Sequence, residues 1–175
     1  SMRKTRLILK YFFLFLYLLI ILAFTFLGRE PEPERQLWTT LFRSYHRAWD
    51  EQHDFIFWGI VANVVMTIPL GLLLPLGEKK VHFVRLMLVS AAFFILIEVL
   101  QYITRLGYFD VDDIWNNLWG TAIGCGFYAG MMELVNGFRR HRRVSGLKVI
   151  AGMLPFGAFL LFFVYFLIRM RGGAV

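Results

Sequence analysis

A single cysteine, Cys125, is all the thiol chemistry this chain carries. It has no intrachain partner, which excludes a disulfide framework. Its place inside an apolar block makes it a small packing residue before it is a nucleophile. The sequence also lacks a Walker loop and any HExxH, GxSxG or CxxC pattern. That argues against nucleotide hydrolysis and against the familiar zinc and serine hydrolases. Acidic residues are scarce: 12 Asp and Glu against 19 Lys and Arg leave a net charge of +7. The basic residues stand beside hydrophobic blocks, so they read as a topology signal rather than as a nucleic-acid footprint. Polar helix faces are lacking as well. A soluble helix keeps one face polar. Here the apolar residues come in long blocks, make up 58% of the chain and set a mean hydropathy of +0.60. Lipid is the solvent that suits such blocks.

A helical span needs about 20 apolar residues at 1.5 Å rise per residue. Five blocks meet or approach this, at 7–27, 55–76, 83–104, 113–135 and 147–168. The first follows Arg3, Lys4 and Arg6 and reads as a retained signal anchor, its apolar stretch being too long for a cleaved leader. Positive charge then sets orientation. The N-terminus with Lys10, the segment with Lys79, Lys80 and Arg85, and the segment with Arg139, Arg140, Arg142, Arg143 and Lys148 fall on one side if there are five spans. That side is expected to be cytoplasmic. Segments 28–54 and 105–112 hold most of the acids and are expected to face outward. Arg169 and Arg171 then stand outside, against the rule, and a last segment that does not fully cross is the alternative.

The loop 28–54 is more than a linker. After Pro31 and Pro33 come Trp38, Leu41, Phe42, Tyr45 and Trp49, at spacings of three or four. A short helix would gather them on one face, with Arg43, Arg47 and Asp50 on another. Two readings stand side by side: an amphipathic helix on the outer leaflet, or a helix that caps the bundle. The whole predicts an all-α, multi-pass transmembrane helical bundle of about five spans, with a short amphipathic helix in the first outer loop, forming a single membrane domain over 1–175.

Polar groups at membrane depth carry the remaining information, because an ionisable residue inside a span costs at least a few kcal/mol. Glu98, Gln101 and Arg105 share a helical face by their spacings of three and four. Asp110, Asp112 and Asp113 precede Asn116 and Asn117, and Asp113 and Asn117 lie one turn apart. Asn63 sits about two turns below the outer surface. Asn63, Glu98 and Asn117 therefore fall at similar depth. Oxygen-rich groups beside an arginine can bind a hard divalent cation such as Mg²⁺ or Ca²⁺, with Glu98, Asp110 and Asp113 as ligands. They can do acid–base work, with Glu98 or Asp113 as the acting carboxyl. They can hold an anionic lipid headgroup through Arg105 or Arg43. The plainer reading is interhelical hydrogen-bond glue.

Other features read as architecture. Gly120 and Gly124, and again Gly126 and Gly130, form G-x-x-x-G, which lets backbones approach. Pro69 should kink the second span, and Pro155 the fifth. His46, His53, His82 and His141 lie in loops and read as solvated. Asn63/Thr67 and Asn117/Thr121 repeat one spacing in two spans of the same direction, a faint echo of a duplicated helix pair.

The run NVVMTIPLG at 63–71, followed by IEVLQYITRLGYFDVDDIWNNLWGTAIG at 97–124, resembles the VanZ-like family. The elements of the resemblance are Asn63, Pro69 and Gly71; Glu98, Gln101 and Arg105; Asp110 and Asp113; and Asn117, Gly120 and Gly124. The resemblance implies a bacterial cytoplasmic-membrane protein associated with low-level resistance to teicoplanin-type glycopeptides. The expected partner is a membrane lipid, a lipid-linked wall precursor or the acyl tail of a lipoglycopeptide, held at Asn63, Glu98, Gln101, Arg105, Asp110, Asp113, Asn117 and Arg43, with no nucleic acid. A membrane enzyme on the same substrates and a structural partner of wall-synthesis proteins are the rival expectations. No cofactor is firmly implied beyond a candidate divalent cation, and nothing in these motifs sets an oligomeric state.

Overall fold

The computed structural model describes residues 2–51, 53–78 and 80–172, apart from the side chains of residues 2, 3 and 6. Lys79 and the side chains of Arg3 and Arg6, three of the charges read for orientation, lie outside the described residues. The chain runs α1 (Met2–Phe26), β1 (Leu37–Trp38), α2 (Arg43–Asp50), α3 (Asp54–Leu73), α4 (Phe83–Thr104), β2 (Phe109–Asp110), α5 (Val111–Arg139) and α6 (Gly146–Gly172). It is an all-α bundle apart from one two-residue parallel pairing of β1 with β2.

Backbone groups in hydrocarbon must be satisfied within the chain, so apolar blocks of this length become helices. Their ends follow local chemistry. Beyond α1, Gly28 takes a positive φ of 74°, and Pro31 and Pro33 keep the segment that follows from continuing as a helix. Past α3, Pro75 and Gly77, at φ 81°, stop the helix. Asp54 opens α3, and Asp112 and Asp113 lie in the first turn of α5, where carboxylates meet the positive end of the helix dipole. Pro69 and Pro155 both lie inside continuous helices.

Four helices are long and apolar enough to cross a membrane: α1 over Leu7–Phe26, α3, α4 and α6. Large apolar side chains such as Ile8, Phe15, Leu88 and Leu161 stand exposed on them, as lipid-facing groups do. The equally long α5 is more polar. It runs from the end where α4 stops and the acidic loops gather to the opposite end, where α6 begins, and so extends the length of the bundle. It can be polar because α3, α4 and α6 surround it. Its glycines set the contact distance. A Cβ on Gly120 would strike the Val64 carbonyl, one on Gly124 the Ile68 carbonyl, and one on Gly71 of α3 the Thr121 carbonyl. Gly126 and Gly152 bring α5 and α6 together in the same way. Trp119 Nε1 donates to the Pro155 carbonyl at 3.0 Å and pins that pair. α1 is peripheral. Ile21 packs with Leu70, Phe94 and Ile97, and the Tyr17 hydroxyl donates to the Met66 carbonyl at 2.5 Å.

The helices alternate in direction. Lys10 pairs with Glu78 at 3.9 Å, and Glu133 takes two bonds from Arg142, at 2.8 and 2.9 Å, so these segments share one end of the bundle, the basic end. α6, 27 residues and about 40 Å long at 1.5 Å per residue, crosses to the other end. There Arg169 lies 5.1 Å from the centre of the Trp49 ring. α6 therefore extends the length of the bundle, and Arg169 lies against an aromatic face.

The loop between α1 and α3 departs from its expected form. The helix covers only Arg43–Asp50. Trp38 lies in β1, Leu41 in a turn, and Phe42 at the N-cap with a left-handed φ of 64°, so these three do not extend the face of Tyr45 and Trp49. The reason lies in α5: Asp112 accepts from the N–H groups of Phe42, at 2.5 Å, and Ser44, at 2.7 Å, and so fixes where α2 starts. Tyr45, Ala48 and Trp49 then pack with Phe57, Ile60 and Phe166 of α3 and α6, so α2 caps the bundle.

Candidate functional site

The acidic end of the bundle is tied together by its loops. β1 pairs with β2 in the register Leu37↔Phe109 and Trp38↔Asp110. The Glu32 N–H donates to the Arg105 carbonyl at 2.7 Å, and Arg29 Nη1 to the Leu106 carbonyl at 3.2 Å. The chain after α1 is thus laid across the α4–α5 turn.

Asp110 is the knot of this end. Its side chain caps α5 by accepting from the Asp112 N–H at 2.9 Å. Its own N–H donates to Glu98 Oε2 at 2.9 Å. Its carboxylate also pairs with Arg43 at 3.5 Å, and the Arg43 guanidinium lies 3.6 Å from the centre of the Trp38 ring. Burial pushes the Asp110 carboxyl above its usual value, while the Asp112 N–H and Arg43 pull it down. Arg43 is therefore committed to Asp110 and Trp38 and does not face the cleft described below.

Asp112 and Asn116, fully buried on α5, hold α2. Asp112 caps it, and Asn116 accepts from the Tyr45 hydroxyl. Burial, and then the nearby Asp112 charge, push that hydroxyl well above its usual value, so it stays a donor. The sequence marks Asp112 only as one acid in a run of three and gives Asn116 no sign apart from Asn117. Their role follows from which side of α5 faces α2.

Beside this knot lies a cleft of about 90 Å³ between α1, α3, α4 and α5. Its polar walls are Asn63, Glu98, Gln101, Asp113 and Asn117, with Arg29 from the chain after α1. Asn63 Nδ2 donates to Asp113 Oδ1 at 2.7 Å. The Oδ1 of Asn117 is buried without a protein partner among the described residues. Glu98 is 3% exposed and Gln101 7%, so both face inward. Ile21, Phe24, Met66, Phe94 and Ile97 make the apolar walls.

The structure thus brings five of the sequence-predicted polar residues to one cleft and leaves three outside it. Asp110 stands behind the cleft, bonded to Glu98. Arg43 is taken up as described. Arg105 does not continue the Glu98–Gln101 face, because α4 ends at Thr104 and Arg105 turns left-handed, at φ 61°, and is exposed. The arginine of the cleft is Arg29, which the sequence presents only as a charge flanking the first apolar block. Gly107 is part of the reason Arg29 fits: a Cβ there would lie 2.7 Å from Gln101 Nε2 and 3.3 Å from Arg29 Nη1. Two carboxylates, three amides and one guanidinium can accept from hydroxyl or ammonium groups while matching one anion. Among the described residues no three His, Cys, Asp or Glu side chains are grouped as metal ligands.

The family model described as VanZ/LLP1 matches residues 13–136, a stretch that contains α2 to α4 whole, most of α1 and α5, and every polar residue of the cleft. No curated protein and no solved structure matches the chain.

Proposed function

The chain belongs to the VanZ/LLP1 family, and from that membership we propose that it holds a lipid, a lipid-linked wall precursor or a lipoglycopeptide at the polar cleft, and so contributes to low-level resistance to teicoplanin-type glycopeptides. The observation that carries this reading is the meeting of Asn63, Glu98, Gln101, Asp113 and Asn117, borne by three helices, with Arg29 in one small space. Polar groups inside spans are expensive, and glue alone needs a pair, not six groups around a cleft. The cleft is too small for an acyl chain. It suits the hydroxyl or amine of a headgroup, with an adjoining phosphate or carboxylate on Arg29 and the tail left in the bilayer outside the cleft. By the positive-inside rule the basic end is cytoplasmic, which sets the cleft near the extracytoplasmic face of a bacterial cytoplasmic membrane, with the N-terminus inside.

Glu98→Gln tests the reading. The variant should accumulate in the membrane at the normal level and lose the increment in teicoplanin resistance that the native protein gives to a sensitive host. Unchanged resistance would count against the cleft.

A second reading, a membrane enzyme on the same substrates, draws on the two carboxylates in one cleft. Glu98 has one oxygen bonded to the Asp110 N–H and none bonded at Oε1 among the described residues. A carboxyl so placed can move a proton. Incubation of the purified protein with a bacterial lipid extract, with and without Mg²⁺, should then make one lipid species appear or vanish by mass spectrometry. No change would leave binding as the function.

A further inference from the structure

A second and larger cavity, about 720 Å³, opens at the basic end, between α5, α6 and the turn that joins α3 to α4. It lies at the opposite end of α5 from the polar cleft and shares no residue with it. Its lining is mostly apolar: Cys125, Gly126 and Gly152 are buried, Ala129, Met132 and Pro155 half-buried, and Phe83 and Leu154 exposed at its edge. Its rim is charged, with Glu78, Lys80, Glu133 and Lys148. The charges do not cancel as they stand. Glu133 is bonded by Arg142 at 2.8 and 2.9 Å and by the Ser145 N–H at 3.0 Å. Glu78 is paired with Lys10 at 3.9 Å. Lys80 and Lys148 are exposed and make no ion pair among the described residues. Both rim carboxylates are thus paired at close range with cations that do not line the cavity, and the two rim lysines are left without a close ion-pair partner among the described residues.

An apolar slot under two unpaired ammonium groups, at the depth where one leaflet meets water, has the chemistry of an anionic phospholipid, its tail in the slot and its phosphate at the rim. We propose that this cavity binds an anionic phospholipid of the leaflet at the basic end, with Lys80 and Lys148 on the phosphate and one acyl chain along the α5–α6 seam. The Tyr128 hydroxyl, which accepts from the Gly77 N–H at 3.2 Å, fixes the α3–α4 turn as the side wall. A lipid seated there would brace α6 against α5 where that seam opens.

The test uses the full chain in neutral detergent. Native mass spectrometry would follow titration with phosphatidylglycerol, with phosphatidylcholine and with water-soluble glycerol phosphate. The expected result is one phosphatidylglycerol retained in preference to phosphatidylcholine. In the double variant Lys80→Gln/Lys148→Gln its affinity should fall about thirtyfold, the loss of two lysine contacts to an anionic headgroup. Both lysines are exposed, so that variant keeps the fold. Ala129→Trp, which fills the slot, should remove the bound lipid while both lysines remain. Equal retention of the two lipids, or an unchanged affinity in the double variant, would overturn the proposal. Binding of glycerol phosphate as tight as that of the lipid would make the site one for a soluble phosphate and overturn it too. These readouts do not depend on glycopeptide resistance, so failure here leaves the polar cleft untouched.

Discussion

Asn63 and Asp113, fifty residues apart, are joined by a 2.7 Å hydrogen bond that ties α3 to α5 at the wall of the polar cleft. Around it the two helices mirror each other: Thr67 donates back to the Asn63 carbonyl at 3.0 Å, and Thr121 to the Asn117 carbonyl at 2.8 Å. The faint Asn/Thr echo of the sequence is therefore a pair of like-directed helices in direct contact.

Asn63→Leu should cost about 1 kcal/mol, the usual scale of an interhelical hydrogen bond in lipid. Asn63→Asp should cost more, because it sets a second carboxylate against Asp113. Unfolding by sodium dodecyl sulfate in mixed micelles measures both, and equal midpoints for all three proteins would contradict the pairing.

The α3–α5 seam predicts a contrast between two glycines of the same helix. Gly71→Ala places a methyl against the Thr121 carbonyl, whereas Gly59→Ala meets nothing within 4 Å. The first should destabilise by about 1–3 kcal/mol, as overpacking does, and the second should be neutral or slightly stabilising. Thermal denaturation in detergent, read by loss of monodisperse elution, separates them.

Asp112 acts through α2. Asp112→Ala leaves the Phe42 and Ser44 N–H groups without an acceptor, at a cost of about 1–2 kcal/mol. Amide exchange should quicken over residues 43–50 and stay slow in the middle of α3. Uniform exchange changes, or none, would mean that Asp112 does not hold the cap.

Arg29 and Arg105 offer a further discrimination. If the cleft meets an anion through Arg29, Arg29→Gln should reduce the resistance increment as Glu98→Gln does. Arg105→Gln, at an exposed position, should leave it intact. The reverse order would move the site out of the cleft.

Asp110 gives a pH signature. Its folded value is raised above the ordinary 3.8, chiefly by burial. Its contribution to stability is therefore present in full below that ordinary value and is lost as pH rises through the raised one. Asp110→Asn keeps an oxygen for the Asp112 N–H but cannot ionise. The difference in unfolding midpoint between native protein and variant should shift in favour of the variant as pH climbs from about 4 toward neutrality. A difference that does not change with pH would contradict the raised value.

Hydropathy fixes where the chain crosses, because lipid leaves the backbone no partner but itself and a span cannot be much shorter than the bilayer. α5 strains that rule. Its acids and amides lower its hydropathy, and only the packing of α3, α4 and α6 around it explains why it can lie within an apolar bundle. The constant rise of a helix also makes Asn63, Glu98 and Asn117 level with one another before any packing is known. Periodicity fails where helices end. It carries Arg105 onto the Glu98 face and Trp38 onto the Tyr45 face, yet the backbone turns left-handed at Arg105 and at Phe42 and breaks both stripes.

The amino-acid order alone determined an all-α membrane bundle, the shared depth of its buried polar groups along their helices and its likeness to the VanZ family. Those depend on transfer from water to lipid and on helix geometry, which are local. Tertiary structure alone decided that Arg29 rather than Arg105 enters the cleft, that Asp112 and Asn116 hold the cap, and that two lysines face an apolar cavity at the other end. Each of those depends on which loop lies over which helix, a relation between distant segments that no spacing along the chain encodes.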